Sequence, residues 1–250
     1  MGIAEVSGEP FFLVDQLPAA GPFRLTGPEG RHAATVRRMR AGEPVVLTDG
    51  RGSRAWATVT ATGKAEVDLE VGPPELEPVP AVRVTVIQAL PKGERGELAV
   101  DLATEAGVDA IVPWAARRCV TRWTDDRAAK GVARWTATAR EAAKQSRRSR
   151  VPVVYPVATT AQVATLIRAT DRALVLHESA TAGLAAGGVP REGELALIVG
   201  PEGGIDDQEL AVFTEAGARV VRLGPQVLRT STAAAVALGA LGVLTDRWAG

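Results

Sequence analysis

Residues 195–244 constrain the fold most, because they contain two glycine-bearing loops at the ends of apolar runs. The first loop, residues 200–204, follows an unbroken apolar run at 195–199, which is typical of a parallel strand covered on both faces. The second loop, residues 223–230, follows another short apolar run. A helical pattern comes after each loop. Both loops are therefore predicted at the carboxyl ends of strands, where open α/β sheets bind ligands.

The rest of the chain divides at a proline-rich stretch near residues 73–80, so we predict domains at residues 1–76 and 77–250. Short, partly alternating apolar runs in the first domain predict a small antiparallel barrel. One basic helix is predicted to interrupt it, starting after Pro28 and Glu29 and carrying Arg31, His32, Arg37, Arg38 and Arg40. Helices and strands alternate in the second domain, which predicts a mainly parallel sheet wrapped by helices.

Polar residues mark where two of the later helices should begin. Asp206 and Asp207 are good N-terminal residues for a helix over 208–216. Thr230, Ser231 and Thr232 are three candidate caps for the apolar helix that follows. Predicted helices of the second domain cover residues 94–106, 126–146, 161–169, 206–216 and 232–248, and predicted strands cover 82–90, 110–113, 153–155, 173–177, 195–199 and 220–223.

Composition limits the class of protein and its compartment. The 29 basic and 29 acidic residues of the 250-residue chain cancel. Residues 117–150, however, contain eleven Lys or Arg and only three acidic residues. The resulting local charge of about +8 indicates a nucleic-acid partner. Cys119 is the single cysteine and is expected to be a small buried hydrophobe, so a reducing cytoplasm is the natural location. We expect no signal peptide, membrane span or metal site.

The two loops resemble the SPOUT superfamily of methyltransferases, and specifically the bacterial 16S ribosomal RNA uridine-N3 methyltransferase family. The matching segments are Ile-Val-Gly-Pro-Glu-Gly-Gly at 198–204, Leu-Gly-Pro at 223–225 and Val-Leu-Arg-Thr at 227–230, with Lys-Gly-Glu-Arg at 92–95 matching a further loop. The resemblance implies a knotted SPOUT-type domain with a deep trefoil knot after a PUA-like RNA-binding barrel. It also implies a homodimer that uses S-adenosylmethionine to methylate N3 of one uridine in 16S rRNA of the small ribosomal subunit.

Two alternatives stay open at this point. One is a ribose 2′-O-methyltransferase of the same superfamily, although the Asn-containing motif with a catalytic arginine near the start of the knotted domain is not found. The other is a non-catalytic RNA-binding factor for ribosome assembly, which would keep the fold.

The resemblance also implies the residues of the cofactor site. His177 is a conceivable general base, but a ring packed in its loop is the favoured interpretation. The predicted cofactor contacts are Leu176, His177, Gly200, Pro201, Glu202, Gly203, Gly204, Leu223 and Leu228.

Catalysis at N3 of uracil requires removal of the imide proton and stabilisation of the resulting charge. Arg229, beside the second loop, is the first candidate for that stabilisation, and a salt bridge to Glu202 is the competing interpretation. Many family members have glutamate where this chain has Ser231. The general base must therefore be Glu202, His177 or a water molecule. We predict Arg229 and Glu202 as the catalytic residues.

Basic residues from both predicted domains are candidates for phosphate contacts. Lys92 and Arg95 would contact either RNA or a second subunit. The predicted RNA-binding residues are Arg31, Arg37, Arg38, Lys92, Arg95, Arg117, Arg118, Arg122, Lys144, Arg147 and Arg148.

Overall fold

The computed structural model describes residues 8–124 and 126–248, which form two compact units. The first unit extends to Val79 and also includes Ala143–Val151. The second unit comprises Pro80–Ala142 and continues from Pro152. The division after Val79 lies in the proline-rich stretch that the sequence indicated. Ala143–Val151 was expected in the second domain, but its backbone and side chains bond to the first unit, as in the hydrogen bond from Val151 N to Gly50 O.

The first unit is built on a six-stranded sheet with the order β1-β3-β4-β5-β2, in which β6 also pairs with β4. One face is buried, as the alternating burial of β5 shows, and Phe12, Leu47 and Leu69 fill the core beneath it. The ladders are antiparallel, as predicted, except that β1 and β3 run parallel. The strands are β1 (Phe11–Leu13), β2 (Gly21–Leu25), β3 (Pro44–Thr48), β4 (Ser53–Thr62), β5 (Val67–Val71) and β6 (Glu75–Leu76).

The basic helix of the first unit is shorter than the sequence suggested. Helix α1 (Gly27–Arg31) continues as a π-helical turn over His32–Val36. Arg37 and Arg38 lie beyond that turn, and Arg38 has a φ of 54°, which an α-helix does not accommodate.

The second unit is built on a six-stranded parallel sheet with the order β12-β10-β11-β7-β8-β9, which confirms the prediction of a mainly parallel α/β fold. Residues 195–199 of β11 are all buried, as their unbroken apolar run predicted. The strands are β7 (Val82–Ala89), β8 (Ala110–Trp114), β9 (Val153–Val154), β10 (Arg172–Leu176), β11 (Gly193–Val199) and β12 (Arg219–Val221). The trefoil knot stays a prediction.

The helices of the second unit follow the predicted pattern, with a correction at the last one. They are α2 (Arg95–Glu105), α3 (Asp126–Gln145, whose last turn belongs to the first unit), α4 (Thr160–Ala169), α5 (Asp207–Glu215) and α6 (Thr230–Leu244). Asp206 caps α5, because its side chain accepts a hydrogen bond from the Gln208 amide at 3.1 Å. Helix α6 begins at Thr230, earlier than predicted, and no side chain caps it. The hydroxyl of Thr230 instead bonds outside its own helix.

None of the helices in the described part of the chain is both long and apolar enough to cross a membrane.

Candidate functional site

A cavity of about 350 Å³ lies at the carboxyl ends of three neighbouring parallel strands of the second unit. Leu176 ends β10, Val199 ends β11, and Arg222 follows β12; all three line the cavity. The remaining wall comes from both predicted loops, from His177 and Glu178 after β10, from Ile205 and from the start of α6, with Arg95 added from α2. The structure therefore brings the two glycine-bearing loops together around one space, at the edge of the sheet where ligands are expected.

All but one of the predicted cofactor residues line this cavity. The exception is Gly203, where an added Cβ would lie 3.3 Å from the Cβ of Arg118, so this glycine packs against a neighbouring loop. The predicted residues in the wall are Leu176, His177, Gly200, Pro201, Glu202, Gly204, Leu223 and Leu228. That these residues contact a cofactor stays a prediction.

Two glycines of the first loop are required by its geometry. A Cβ on Gly200 would lie 2.7 Å from Cγ1 of Ile205, closer than real side chains approach. Gly204 has a φ of 73°, in the left-handed region that favours glycine. The loop can therefore turn tightly over the end of β11 and present backbone groups to the cavity.

Glu202 pairs with Arg95, and the salt bridge to Arg229 that was the alternative to a catalytic role is not formed in the structure. The Nη1 atom of Arg95 lies 3.5 Å from Oε1 of Glu202, and the backbone N–H of Lys92 donates to the same oxygen at 3.1 Å. Glu202 thus attaches the loop at residues 91–95 to the loop at residues 200–204. Its Oε1 atom is therefore engaged by two contacts within the protein.

Arg229 is exposed at the cavity wall, immediately before α6. Within residues 8–124 and 126–248, its guanidinium makes no ion pair or side-chain hydrogen bond, while its carbonyl accepts a bond from the Thr232 hydroxyl at 3.2 Å. The backbone of Arg229 is thus anchored beside the cavity, and the donors of its guanidinium are available to a ligand.

His177 lines the cavity but is engaged within its own loop. The backbone N–H of Ser179 can only donate, and it lies 3.3 Å from Nδ1 of His177, so Nδ1 is the acceptor and the neutral ring carries its proton on Nε2. The Ser179 hydroxyl also lies 2.8 Å from Nδ1. This arrangement uses the lone pair of the ring and favours the packing role over that of a base.

Ser231 is buried, with 2% of its surface exposed, and is not part of the cavity wall. In this chain the position therefore offers no carboxylate to the site.

Burial raises the pKa of the Cys119 thiol, which agrees with its predicted role as a small buried side chain. Across the described ranges there is no cluster of three or more His, Cys, Asp or Glu residues that could hold a metal ion.

The basic residues of the second unit are partly occupied by the protein itself. Arg117 pairs with Asp206 at 3.2 Å. Arg118 donates to the carbonyls of Gly203 and Ile205 at 3.3 and 3.4 Å. Arg122 donates to two carbonyls of its own loop. The three guanidiniums brace the loop beside residues 200–206, yet Arg117, Arg118 and Arg122 all stay exposed.

The basic residues of the first unit fall into two groups. Arg31, Arg37, Arg38 and Arg147 are exposed, as phosphate contacts would need to be. Lys144 differs, because its Nζ lies 2.7 Å from Oε1 of Glu29 and only 13% of its side chain is exposed. Its predicted RNA contact is therefore disfavoured. Arg148 is half-buried and is bonded within the protein.

Comparison with known proteins identifies the family. A model described as an RNA methyltransferase domain matches residues 77–242, and one described as an RNA methyltransferase PUA domain matches residues 25–72. The chain belongs to this RNA methyltransferase family. It is 52% identical over 244 residues to ribosomal RNA small subunit methyltransferase E of Mycobacterium tuberculosis, covering 95% of this chain and 92% of the relative. The Bacillus subtilis protein of the same name is 31% identical, with 92% and 93% covered.

Solved structures extend the family likeness to proteins with a bound cofactor. A ribosomal RNA small subunit methyltransferase E from Neisseria gonorrhoeae, bound to S-adenosyl methionine, superimposes with a TM-score of 0.82 at 30% identity and covers 95% of this chain and 98% of that one. A putative methyltransferase from Legionella pneumophila, in complex with the same cofactor, gives 0.83 at 26% identity, again covering 95% and 98%. These likenesses confirm the α/β methyltransferase fold and the PUA-like domain of the family.

Several residues at the site of this family member were not predicted from the sequence, and three of them are Arg222, Thr230 and Gln88. Arg222 lines the cavity, and its place directly before the Leu223 loop was a usable signal. Thr230 also lines the cavity, although its sequence position indicated only a helix cap. Gln88 lies behind the wall, and the signal was a polar residue inside the apolar strand β7.

Proposed function

We propose that this chain transfers a methyl group from S-adenosylmethionine to N3 of one uridine in the 16S rRNA of the small ribosomal subunit. The observation that supports this most is the cavity between the two glycine-bearing loops, in a chain 52% identical to a ribosomal RNA small subunit methyltransferase E. The ribosomal substrate would place the activity in the cytoplasm.

The chemistry of the cavity wall fits the cofactor. Its volume of about 350 Å³ falls in the usual range for small-molecule sites. Leu176, Leu223 and Leu228 offer apolar surface to an adenine ring, and the tight loop at Gly200 and Gly204 exposes backbone donors and acceptors for its polar edge. The cofactor supplies an electrophilic methyl group on a sulfonium. The protein must hold both the cofactor and the uracil ring.

Arg229 is proposed to stabilise the charge on the uracil ring. Loss of the imide proton leaves a negative charge that is shared between N3 and the neighbouring carbonyl oxygens, and transfer of the methyl group from the sulfonium to N3 then neutralises that charge. A guanidinium with uncommitted donors at the cavity wall can hydrogen-bond to such an oxygen, and preorganised donors of this kind commonly contribute about 10²- to 10³-fold to turnover. Glu202 keeps a proposed role in shaping the site through Arg95, and water is the simplest acceptor for the proton.

RNA binding is proposed to use the exposed arginines of each unit. In the first unit these are Arg31, Arg37, Arg38 and Arg147, and in the second they are Arg117, Arg118 and Arg122. Each phosphate contact that they make would release counterions, so affinity should fall steeply with salt. The family's PUA domain covers residues 25–72, which includes Arg31, Arg37 and Arg38.

A homodimer is proposed on the exposed apolar face of α6. Val236, Val243 and Leu244 on this helix are 47%, 77% and 48% exposed, which is unusual for an otherwise apolar helix. Val243 and Leu244 line one surface together with Leu184, and a second copy can cover that surface by two-fold symmetry. Light scattering should give twice the 26.1 kDa chain mass, and Val243→Glu should give the monomer. A monomeric wild-type protein would refute this part.

The role of Arg229 is tested by replacing it with alanine. The variant should retain cofactor affinity within about twofold and lose about 10²-fold or more in turnover, because the lost charge acts on the transition state. Arg191→Ala, an exposed arginine outside the cavity wall, is the matched control and should behave as wild type. Equal turnover for Arg229→Ala and wild type would show that Arg229 has no catalytic role.

A further inference from the structure

Gln88 is a buried polar residue placed behind the two cofactor loops. It is the penultimate residue of β7 and is 1% exposed. In the parallel ladder it lies opposite Val199, the last residue of β11. The loop that begins at Gly200 therefore starts beside Gln88, although Gln88 itself is not part of the cavity wall.

The hydrogen bonds around Gln88 have only one consistent direction. Thr230 Oγ1 lies 2.7 Å from the carbonyl oxygen of Gly200, which can only accept, so the single hydroxyl proton must point there. Thr230 must then accept from Gln88, whose Nε2 lies 3.1 Å away. Nε2 also donates to the carbonyl of Ala89 at 3.2 Å. A flipped amide would set Oε1 against that carbonyl, so the observed orientation is the favourable one.

This chain of bonds joins the two loops directly. Gly200 belongs to the first loop and Thr230 to the end of the second, and both line the cavity. We propose that Gln88 and Thr230 form a latch that holds the two cofactor loops at their working separation, with both acting as positioning residues. Thr230 is also the first residue of α6, next to Arg229, so the latch anchors the backbone of Arg229 as well.

Burial makes the latch sensitive to single changes. Thr230 is 6% exposed, and Oε1 of Gln88 already has no partner among the described residues. Without the Thr230 hydroxyl, Gly200 O and one N–H of the buried Gln88 side chain would also lose their partners. Buried groups left in this way are costly, and the loops can restore their bonding only by moving apart or rotating.

The test compares variants that remove only the hydroxyl. Thr230→Val keeps the shape of the side chain and loses the bond, whereas Thr230→Ser keeps the bond and loses a methyl group. Thr104→Val is the matched control, because Thr104 is a fully buried threonine of α2 whose hydroxyl donates to Val100 O at 2.7 Å. Binding of S-adenosylhomocysteine by calorimetry and thermal unfolding are measured for each, since neither requires turnover.

The inference rests on the proposed function, and the outcomes separate the two. We expect Thr230→Val to bind about tenfold more weakly, equivalent to about 1.4 kcal/mol, with Thr230→Ser close to wild type. Thr104→Val should unfold at a lower temperature but bind normally. Unchanged binding by Thr230→Val, or equal weakening in Thr104→Val, would overturn the latch while leaving the proposed function intact. Absence of binding by the wild-type protein would refute both.

A double-mutant cycle adds a second criterion. If Gln88 acts through Thr230, the effects of Gln88→Met and Thr230→Val on binding should be far from additive, because either change breaks the same chain of bonds. The double variant should then bind about as weakly as Thr230→Val alone. Simple addition of the two effects would show that Gln88 acts independently and would overturn its place in the latch.

Discussion

Replacing Arg247 with alanine should destabilise the second unit by about 3 kcal/mol. Nη1 of Arg247 lies 2.8 Å from Oδ2 of Asp109, and the two side chains are only 8% and 17% exposed. The guanidinium also donates to the backbone carbonyls of Val82 and Gly107. Removing one partner of a buried ion pair costs about 3–5 kcal/mol, because the other charge stays buried.

The lower end of that range applies here, because Asp109 retains one hydrogen bond from the amide of Val84 at 2.7 Å. For a chain of this size each kcal/mol lowers Tm by about 2–4 °C, so Arg247→Ala should lower Tm by about 6–12 °C. Thermal and urea unfolding followed by circular dichroism measure both quantities.

The matched control is Arg83→Ala. Arg83 is paired with Glu194, but these side chains are 56% and 34% exposed, so the loss should be at most about 1 kcal/mol. Equal destabilisation by the two substitutions would refute the reasoning that burial makes the Arg247 pair important.

Two further predictions concern buried ionisable groups. Because burial raises the pKa of Cys119, the folded chain keeps the thiol proton at a pH at which the unfolded chain loses it. The free energy of unfolding should therefore decline as pH rises above about 8.5. Cys119→Ala should lack this part of the pH dependence. A pH dependence identical in both proteins would contradict it. Lys144→Met should destabilise the first unit by about 3 kcal/mol by leaving Glu29 unpaired, and adding Glu29→Gln should recover part of the loss in thermal unfolding. No recovery would argue that Lys144 acts through packing.

The parallel sheet and the position of the site were predictable because they depend on local patterns. The unbroken apolar run of β11 and the loop after it are contiguous in sequence, and the glycines report the tight turn that their geometry requires. The carboxyl ends of neighbouring parallel strands meet at one edge, so the two loops were expected together. The same logic correctly placed Asp206 at the start of α5.

The errors have a common physical origin in contacts between distant parts of the chain. The partner of Glu202 is Arg95, which is 107 residues away, so a nearby arginine in the sequence was a poor guide. The Thr230 hydroxyl bonds to Gly200 rather than capping its helix, and α6 therefore begins earlier than its polar residues indicated. Lys144 belongs to a basic tract in sequence but pairs with Glu29 in the structure, and no local pattern could show this.

The identity of the methylated atom tests the central claim most directly. Small ribosomal subunits that lack the modification would be incubated with the protein and labelled S-adenosylmethionine, and the rRNA digested to nucleosides for mass spectrometry. The account predicts label in 3-methyluridine at a single position. Label on a ribose oxygen would indicate a 2′-O-methyltransferase, and no label despite cofactor binding would indicate a non-catalytic RNA-binding factor; either result would contradict the account.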